Sequence, residues 1–213
     1  MDKFPPLLIP ILQGARRKKI GKGQIILYEG DVPGDAMIVK EGIVKIHDID
    51  DQGNEKILHL VKRPAIIPFA FYSGQEVPTR WFYSALTNTE LFIIPREQLL
   101  AAVRDNSTLA LYLMNHFSME IHEILTRLSS LGKTNTRDKL IAALKFLAVW
   151  HSTQKAGGWL RVTFPVNHQL LADMVGITRE SAAIAMKEFQ TSRVIRNPRM
   201  TILEINLPRL GES

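Results

Sequence analysis

Residues 167–189 read Asn167-His168-Gln169-Leu170-Leu171-Ala172-Asp173-Met174-Val175-Gly176-Ile177-Thr178-Arg179-Glu180-Ser181-Ala182-Ala183-Ile184-Ala185-Met186-Lys187-Glu188-Phe189, and this stretch decides the fold of the C-terminal part. Asn167 suits the N-cap of a two-turn helix whose apolar positions Leu170, Leu171 and Met174 share one face. Gly176 ends that helix, because glycine enters the left-handed conformation without a Cβ clash. Thr178 caps a second helix, with Glu180 and Ser181 in its first turn and Ala182, Ala185, Met186 and Phe189 on its inner side. Ala172 gives the clearance two crossing helices need. Short helix, glycine turn and second helix make a helix-turn-helix. Two helices packed for structure alone would show the same apolar spacing, so the polar tip carries the distinction.

In a helix-turn-helix the second helix enters the major groove of duplex DNA and its first side chains meet base edges. Thr178, Arg179, Glu180, Ala183 and Ile184 are expected there, with Arg179 suited to guanine O6 and N7 and Glu180 to cytosine N4. Asn167, His168, Gln169, Ser181 and Lys187 complete the expected contact set. Residues 194–203 then read as two short strands around a basic turn, a wing whose Arg196 and Arg199 touch phosphate.

Upstream, residues 137–150 form a helix with Leu140, Ile141, Leu144, Leu147 and Ala148 on one face, followed by a Gly157-Gly158 loop and a strand at 160–164. Gly132-Lys133-Thr134-Asn135-Thr136 supplies a C-cap glycine and three candidate N-caps, which marks a boundary. Before it, Ala110, Leu113, Phe117, Ile121, Ile124, Leu128 and Leu131 step by three and four along a helix spanning residues 107–131. Such a helix is about 37 Å long at ~1.5 Å per residue, and the stripe is close to heptad spacing. The expected dimer interface is Leu113, Phe117, Ile121, Ile124 and Leu128; a helix lying across its own sheet is the alternative. From Gln24 to Pro95, short β-rich runs alternate with turn residues, as in a small antiparallel barrel or sandwich. The clearest hairpin joins Ile43–Ile46 to Lys56–His59 through Asp50-Asp51-Gln52-Gly53-Asn54. Three segments follow: residues 1–106, a dimerisation helix at 107–131, and a DNA-binding part at 132–213.

Charge follows the same division. Residues 1–131 hold 15 basic and 15 acidic side chains and residues 132–213 hold 12 and 6, so the whole net charge of +6 sits in the C-terminal part, where a polyanion would bind. The chain contains no Cys, which removes thiol catalysis, disulfides, Cys-ligated zinc and iron–sulfur clusters, and is compatible with a reducing cytoplasm. The proline-broken apolar stretch near the N-terminus, preceded by an acid and followed by Arg16-Arg17-Lys18-Lys19, is not expected to be a signal peptide. No window reaches the ~18 apolar residues of a membrane span.

The chain resembles the catabolite activator/FNR family of bacterial transcription regulators in three elements in order. These are Gly30-Asp31-x-x-Gly34-Asp35-x-Met37-Ile38-Val39-x-x-Gly42-x-Val44, the long helix, and Val175-Gly176-Ile177-Thr178-Arg179-Glu180-Ser181. The resemblance implies an α+β protein: an N-terminal antiparallel β-roll of the cyclic-nucleotide-binding-like jelly-roll kind, a long dimerisation helix and a C-terminal winged helix-turn-helix. It further implies a homodimer on a palindromic operator, gated by a small-molecule effector, that activates or represses transcription. RNA polymerase is an implied partner, the 152–159 loop being a contact region in relatives.

Two departures narrow this. Where relatives of the catabolite-activator type carry a base-contacting arginine, this chain aligns Ile184, which offers a thymine methyl only apolar contact. Cyclic-nucleotide binders use a Gly-Glu pair and an Arg-Ser/Thr-Ala segment, whereas Ile66-Ile67-Pro68-Phe69-Ala70-Phe71-Tyr72 lacks the first and Thr79-Arg80-Trp81 alters the second. The effector is therefore not expected to be cAMP. Phe69, Phe71, Tyr72, Thr79, Arg80, Trp81 and Tyr83 are candidate effector-binding residues, with Arg80 pairing an anion; barrel core is the alternative for most of the aromatics. Haem is a minor alternative for His47, His59, His116 and His122, and no metal is assigned. A cupin-like enzyme lacks its His spacing, and no catalytic residue is assigned. A ligand-binding regulatory module without DNA conflicts with the C-terminal charge.

Overall fold

The computed structural model describes residues 4–62, 64–73, 76–199 and 202–211. The chain forms two compact units, one of Met1–Asp48 with Leu58–Ile121, the other of Ile49–Ile57 with His122–Ser213.

In the first unit β1 (Arg16–Ile20), β8 (Thr89–Pro95), β3 (Asp35–Glu41) and β6 (Ile66–Ile67) hydrogen-bond in that order into one antiparallel sheet. A second sheet runs β2 (Ile25–Leu27), β7 (Phe82–Ala85), β4 (Ile43–Ile49) and β5 (Glu55–Lys62). Side chains alternate faces along a strand, and in β3 and β8 both faces are apolar. Met37, Val39, Leu91 and Ile93 pack with Val44, Ile46, Val61 and Tyr83 in one core. Ala36, Ile38, Phe92 and Ile94 pack on the other side with Leu8, Leu12, Leu99, Leu109 and Leu113. Those last residues come from the N-terminal turn and α1 (Ile9–Leu12), from α2 (Arg96–Asp105) and from the start of α3 (Ser107–Leu131). This is why these strands read as continuous apolar runs rather than alternating ones. Gly42 joins β3 to β4 at φ +91°, and a Cβ there would lie 2.5 Å from the Asn88 carbonyl oxygen, so the turn admits only glycine.

The expected β-roll is present with six of its strands near their expected positions, the long helix runs from Ser107 to Leu131, and β7 begins at Phe82 rather than Trp81. β1 and β6 were not expected. β1 is four cations and one isoleucine, with the cations exposed and only Ile20 buried, so it carries no apolar signature. The expected Ser73-Gly74 turn lies partly outside the described residues, and residues 200 and 201 of the expected wing lie outside them.

The second unit holds α4 (Thr136–Trp150), β9 (Ser152–Gln154), β10 (Trp159–Val162), α5 (His168–Val175), α6 (Arg179–Thr191), β11 (Ile195–Arg199), β12 (Ile202–Asn206) and α7 (Leu207–Gly211). Asn135 caps α4, its Oδ1 accepting from the Asp138 N–H at 2.7 Å. Leu140, Leu144 and Leu147 of α4 are buried together with Leu170, Leu171 and Met174 of α5, Ala182 and Phe189 of α6, and Leu203 and Ile205 of β12. The strands pair as β11-β12-β10-β9, and β9 is a further strand beyond the expected three. Among the described residues no helix is long and apolar enough to cross a membrane.

Candidate nucleic-acid interface

The α5–turn–α6 segment is built by three local devices. Asn167 Oδ1 accepts from the Leu170 N–H at 2.8 Å and starts α5. Gly176 ends it at φ +66°, with the Gly176 and Ile177 N–H groups both donating to the Ala172 carbonyl, at 2.8 and 3.3 Å. Thr178 Oγ1 accepts from the Ser181 N–H at 3.1 Å and starts α6. Glu180 then occupies the first turn, where a carboxylate favours the helix N-terminus.

These caps fix which face of α6 turns inward. Ala182, Ala185, Met186 and Phe189 are buried, and Arg137 stacks over the Phe189 ring at 5.7 Å. Thr178, Arg179, Glu180, Ile184 and Lys187 are exposed and Ser181 and Ala183 half-exposed, so the leading tip and outer side of the helix meet solvent. Ile184 is 65% exposed. An isoleucine standing in water on an otherwise polar face has no use in the isolated unit. On α5, Asn167 and His168 are exposed, while Gln169 Nε2 donates to Asp173 Oδ1 at 2.6 Å.

The winged sheet adds a charged cluster that sequence reading missed. Glu204 of β12 is 1% exposed and lies opposite both Arg161 and Arg196 in the ladder. Arg161 Nη2 reaches its Oε1 at 2.6 Å and Arg196 Nε its Oε2 at 2.5 Å, and the Arg196 guanidinium stacks over the Trp159 ring at 4.3 Å. Burial alone would raise the Glu204 pKa; the two guanidinium groups outweigh it and hold the carboxylate below its ordinary range. Arg196 is thus half-exposed and oriented by its neighbours. The side chain of Arg199 lies outside the described ones.

The candidate effector residues do not share one environment. Phe71 and Tyr83 are core, in different clusters, and burial pushes the Tyr83 hydroxyl up to about 12. Phe69 packs partly buried against the Tyr83 cluster. Thr79 is buried with its hydroxyl donating to the Tyr28 carbonyl at 2.7 Å, whereas Arg80 and Trp81 are exposed. The side chain of Tyr72 lies outside the described ones. Of the histidines, His47 Nε2 lies 3.0 Å from Ser84 Oγ, His59 Nε2 lies 2.7 Å from Glu120 Oε2, His116 bonds the Pro64 carbonyl, and His122 is exposed.

The expected dimer stripe divides. Leu113 turns into the first unit's own core and is not open to a partner, Phe117 and Ile124 are half-buried, and Ile121 and Leu128 are exposed. Leu128 of the expected set is the most exposed apolar residue of α3, and beside it Leu111, Met114 and Leu125 also stand in solvent, the last two one position along from the expected Leu113 and Ile124.

A solvent-facing helix-turn-helix tip, a winged sheet and an N-terminal β-roll define a DNA-binding transcription regulator. Residues 17–106 match the cyclic nucleotide-binding domain family and residues 138–212 the Crp-like helix-turn-helix domain family. The transcriptional regulator SdrP of Thermus thermophilus is 28% identical over 193 residues, which span 89% of this chain and 90% of that protein. The crystal structure of a CRP/FNR-family transcriptional regulator, also from Thermus thermophilus, superposes with a TM-score of 0.68 at 25% identity, covering 92% of this chain and 97% of that one. A cyclic nucleotide-binding domain containing protein from Listeria monocytogenes shares the fold, with a TM-score of 0.80 at 15% identity over 95% of this chain and 99% of that one. The chain belongs to the CRP/FNR family, whose members are transcription regulators and not enzymes.

Proposed function

We propose that the protein is an effector-responsive homodimer that reads a palindromic operator through α6. The observation that carries this is the exposed outer side of α6, where Arg179, Glu180, Ile184 and Lys187 stand free of the packed inner side. Arg179 offers a bidentate fork to guanine, Glu180 an acceptor to cytosine, and Ile184 an apolar contact to a thymine methyl. Arg196 meets phosphate from the wing, with Thr178 and Ser181 beside the base-reading tip.

The homodimer reading is supported by α3. Leu111, Met114, Ile121, Leu125 and Leu128 recur at steps of three, seven, four and three residues, with Ser118 at the skipped position, and are between 40% (Ile121) and 61% (Leu128) exposed. That spacing is a two-stranded coiled-coil seam, and a second copy of the same helix is its natural cover. The functional division is residues 1–106 for effector sensing, 107–131 for dimerisation and 132–213 for DNA and polymerase contact, in a cytoplasmic protein. The effector is a small molecule other than cAMP: Ile66, Ile67 and Phe71, in the segment aligned with the nucleotide-binding Gly-Glu pair, are buried core. Arg80 and Trp81 remain accessible to an anionic group.

Selection of bound duplexes from a random pool, with and without cell extract, tests this. The expected product is an inverted repeat with half-sites about 10–10.5 base pairs apart, centre to centre. Recovery of unrelated sequences under both conditions would reject operator reading.

A further inference from the structure

We propose that Arg127 is a positioning residue for operator recognition: its buried guanidinium ties the C-terminal end of α5 to the outer edge of β5 and so fixes the turn that presents α6. The inference rests on the reading of α6 as the DNA-recognition helix and deepens it.

Arg127 lies on the second-unit portion of α3 and is 3% exposed, a rare placement for a cation. Its Nη2 donates to two backbone carbonyls, those of Ile57 and Met174. Both acceptors are of the kind secondary structure leaves over. Met174 is in the last turn of α5, where carbonyls run out of intrahelical donors, and the N–H groups of Gly176 and Ile177 are already committed to Ala172. Ile57 belongs to β5, the edge strand of its sheet. The C-terminal end of a helix also carries partial negative charge, which a buried cation complements. Phe146 of α4 lies under the guanidinium, 5.8 Å from ring centroid to Cζ, so the side chain is oriented from a third element. Burial lowers its pKa to about 10, and it stays protonated at neutral pH.

What Arg127 holds is next to the reading tip. Met174 precedes Gly176 by two residues and the α6 cap Thr178 by four, so a shift in that carbonyl moves the turn from which Arg179 and Glu180 project. The other carbonyl belongs to the Ile49–Ile57 hairpin segment of the same unit, and β5 continues from there into the first unit. Within this unit the guanidinium thus joins α3 and the Ile57 carbonyl to the turn that carries α6.

The test uses the full-length protein with the operator obtained by selection, comparing Arg127→Met and Arg127→Lys. Met fills similar volume without a donor; Lys keeps charge and donors but not the planar fork. In Arg127→Met the ratio of operator to random-duplex affinity should fall roughly 10- to 100-fold, while affinity for random duplex, set by phosphate contacts, changes less than about twofold. Amide hydrogen exchange, measured without DNA, should quicken about tenfold at residues 176–182 and stay unchanged in β10 and β12. Arg127→Lys should fall between Met and wild type. A purely structural role also makes Met the worse variant, since it leaves both carbonyls unpaired, but it quickens exchange in β10 and β12 along with residues 176–182 and lowers operator and random-duplex affinity together. Wild-type ratio and exchange in Arg127→Met, or a worse result for Lys than for Met, overturns the assignment. Should Arg127→Met fail to fold, wild-type values for both measurements in Arg127→Lys overturn it. A wild type that selects no operator rejects the DNA reading itself, whereas an operator-selecting wild type with an indifferent Arg127→Met rejects only the role of Arg127.

Discussion

Helices α3 and α6 distribute their side chains in opposite ways. α6 buries Ala182, Ala185, Met186 and Phe189 and gives water Arg179, Glu180 and Lys187. α3 buries Glu120, Glu123 and Arg127 and gives water Leu111, Met114, Ile121, Leu125 and Leu128. The first arrangement is that of an ordinary surface helix, adapted at its tip to a polar, charged ligand. The second leaves a stripe of apolar side chains in water, the kind of surface that marks an interaction site. On the proposed reading the two helices serve two interfaces, α6 for a polyanion and α3 for a second copy of the chain.

The comparison breaks most readily at α3. Leu125→Glu should raise the dimer dissociation constant about 100-fold or more, since the two-fold axis buries two carboxylates at about 2 kcal/mol or more each. Ile124→Glu, in the half-buried neighbouring stripe, should act on stability first and association second. Sedimentation velocity over a concentration series reads both. If Ile124→Glu dissociates the dimer and Leu125→Glu leaves it intact, the seam follows Phe117, Ile121, Ile124 and Leu128 instead.

On α6 the effects are smaller and concern sequence. Arg179→Ala should cost about 1 to 3 kcal/mol on the selected operator and relax preference at one base pair, with random duplex unaffected. Competition binding against single-base variants of the operator checks it, and equal losses on operator and random DNA would remove Arg179 from base reading.

Behind the tip, Glu204→Gln should lower stability by about 1 kcal/mol at pH 7, a modest figure because both arginine partners are partly exposed. The sign with pH is fixed. A carboxylate whose folded pKa is depressed contributes stability above its unfolded value, ordinarily ~4.3, and loses it as pH falls through the lower folded value. Urea midpoints of wild type and Glu204→Gln should therefore converge as pH is lowered below about 4; a gap of constant size would show that charge is not what Glu204 contributes.

The contrast between the helices also marks what the sequence discloses. The α5–α6 unit was legible because its determinants are local: Asn167, Gly176 and Thr178 each act on groups within three or four residues. β3 and β8 were legible as apolar runs. α3 was legible as a helix, but its faces were not, because two stripes share three-and-four spacing and overlap at Ile121 and Leu128. Which stripe is free depends on what the rest of the chain covers, as Leu113 shows by joining a core with Phe92 and Leu99. Arg127 and Glu204 escaped notice for the same reason, their partners Ile57 and Arg161 lying 70 and 43 residues away. β1 was hidden because its pairing with β8 is made by backbone groups beneath exposed cations.

Lys187 gives the smallest and most diagnostic effect. It sits on the outer side of α6 two turns beyond Glu180, exposed, with a flexible ammonium that serves as a point charge rather than a base-reading fork. Such a residue neutralises phosphate, and phosphate carries no sequence. Lys187→Ala should therefore weaken operator and random duplex alike, by about 1 kcal/mol or less, and reduce the slope of log affinity against log salt by about one unit. Titrations at four salt concentrations on both duplexes separate the outcomes. A loss confined to the operator would place Lys187 among the base readers and extend the recognition surface from the tip of α6 along two further turns. An unchanged slope would place it off the DNA and confine the contacts of α6 and its cap to Thr178, Arg179, Glu180, Ser181, Ala183 and Ile184.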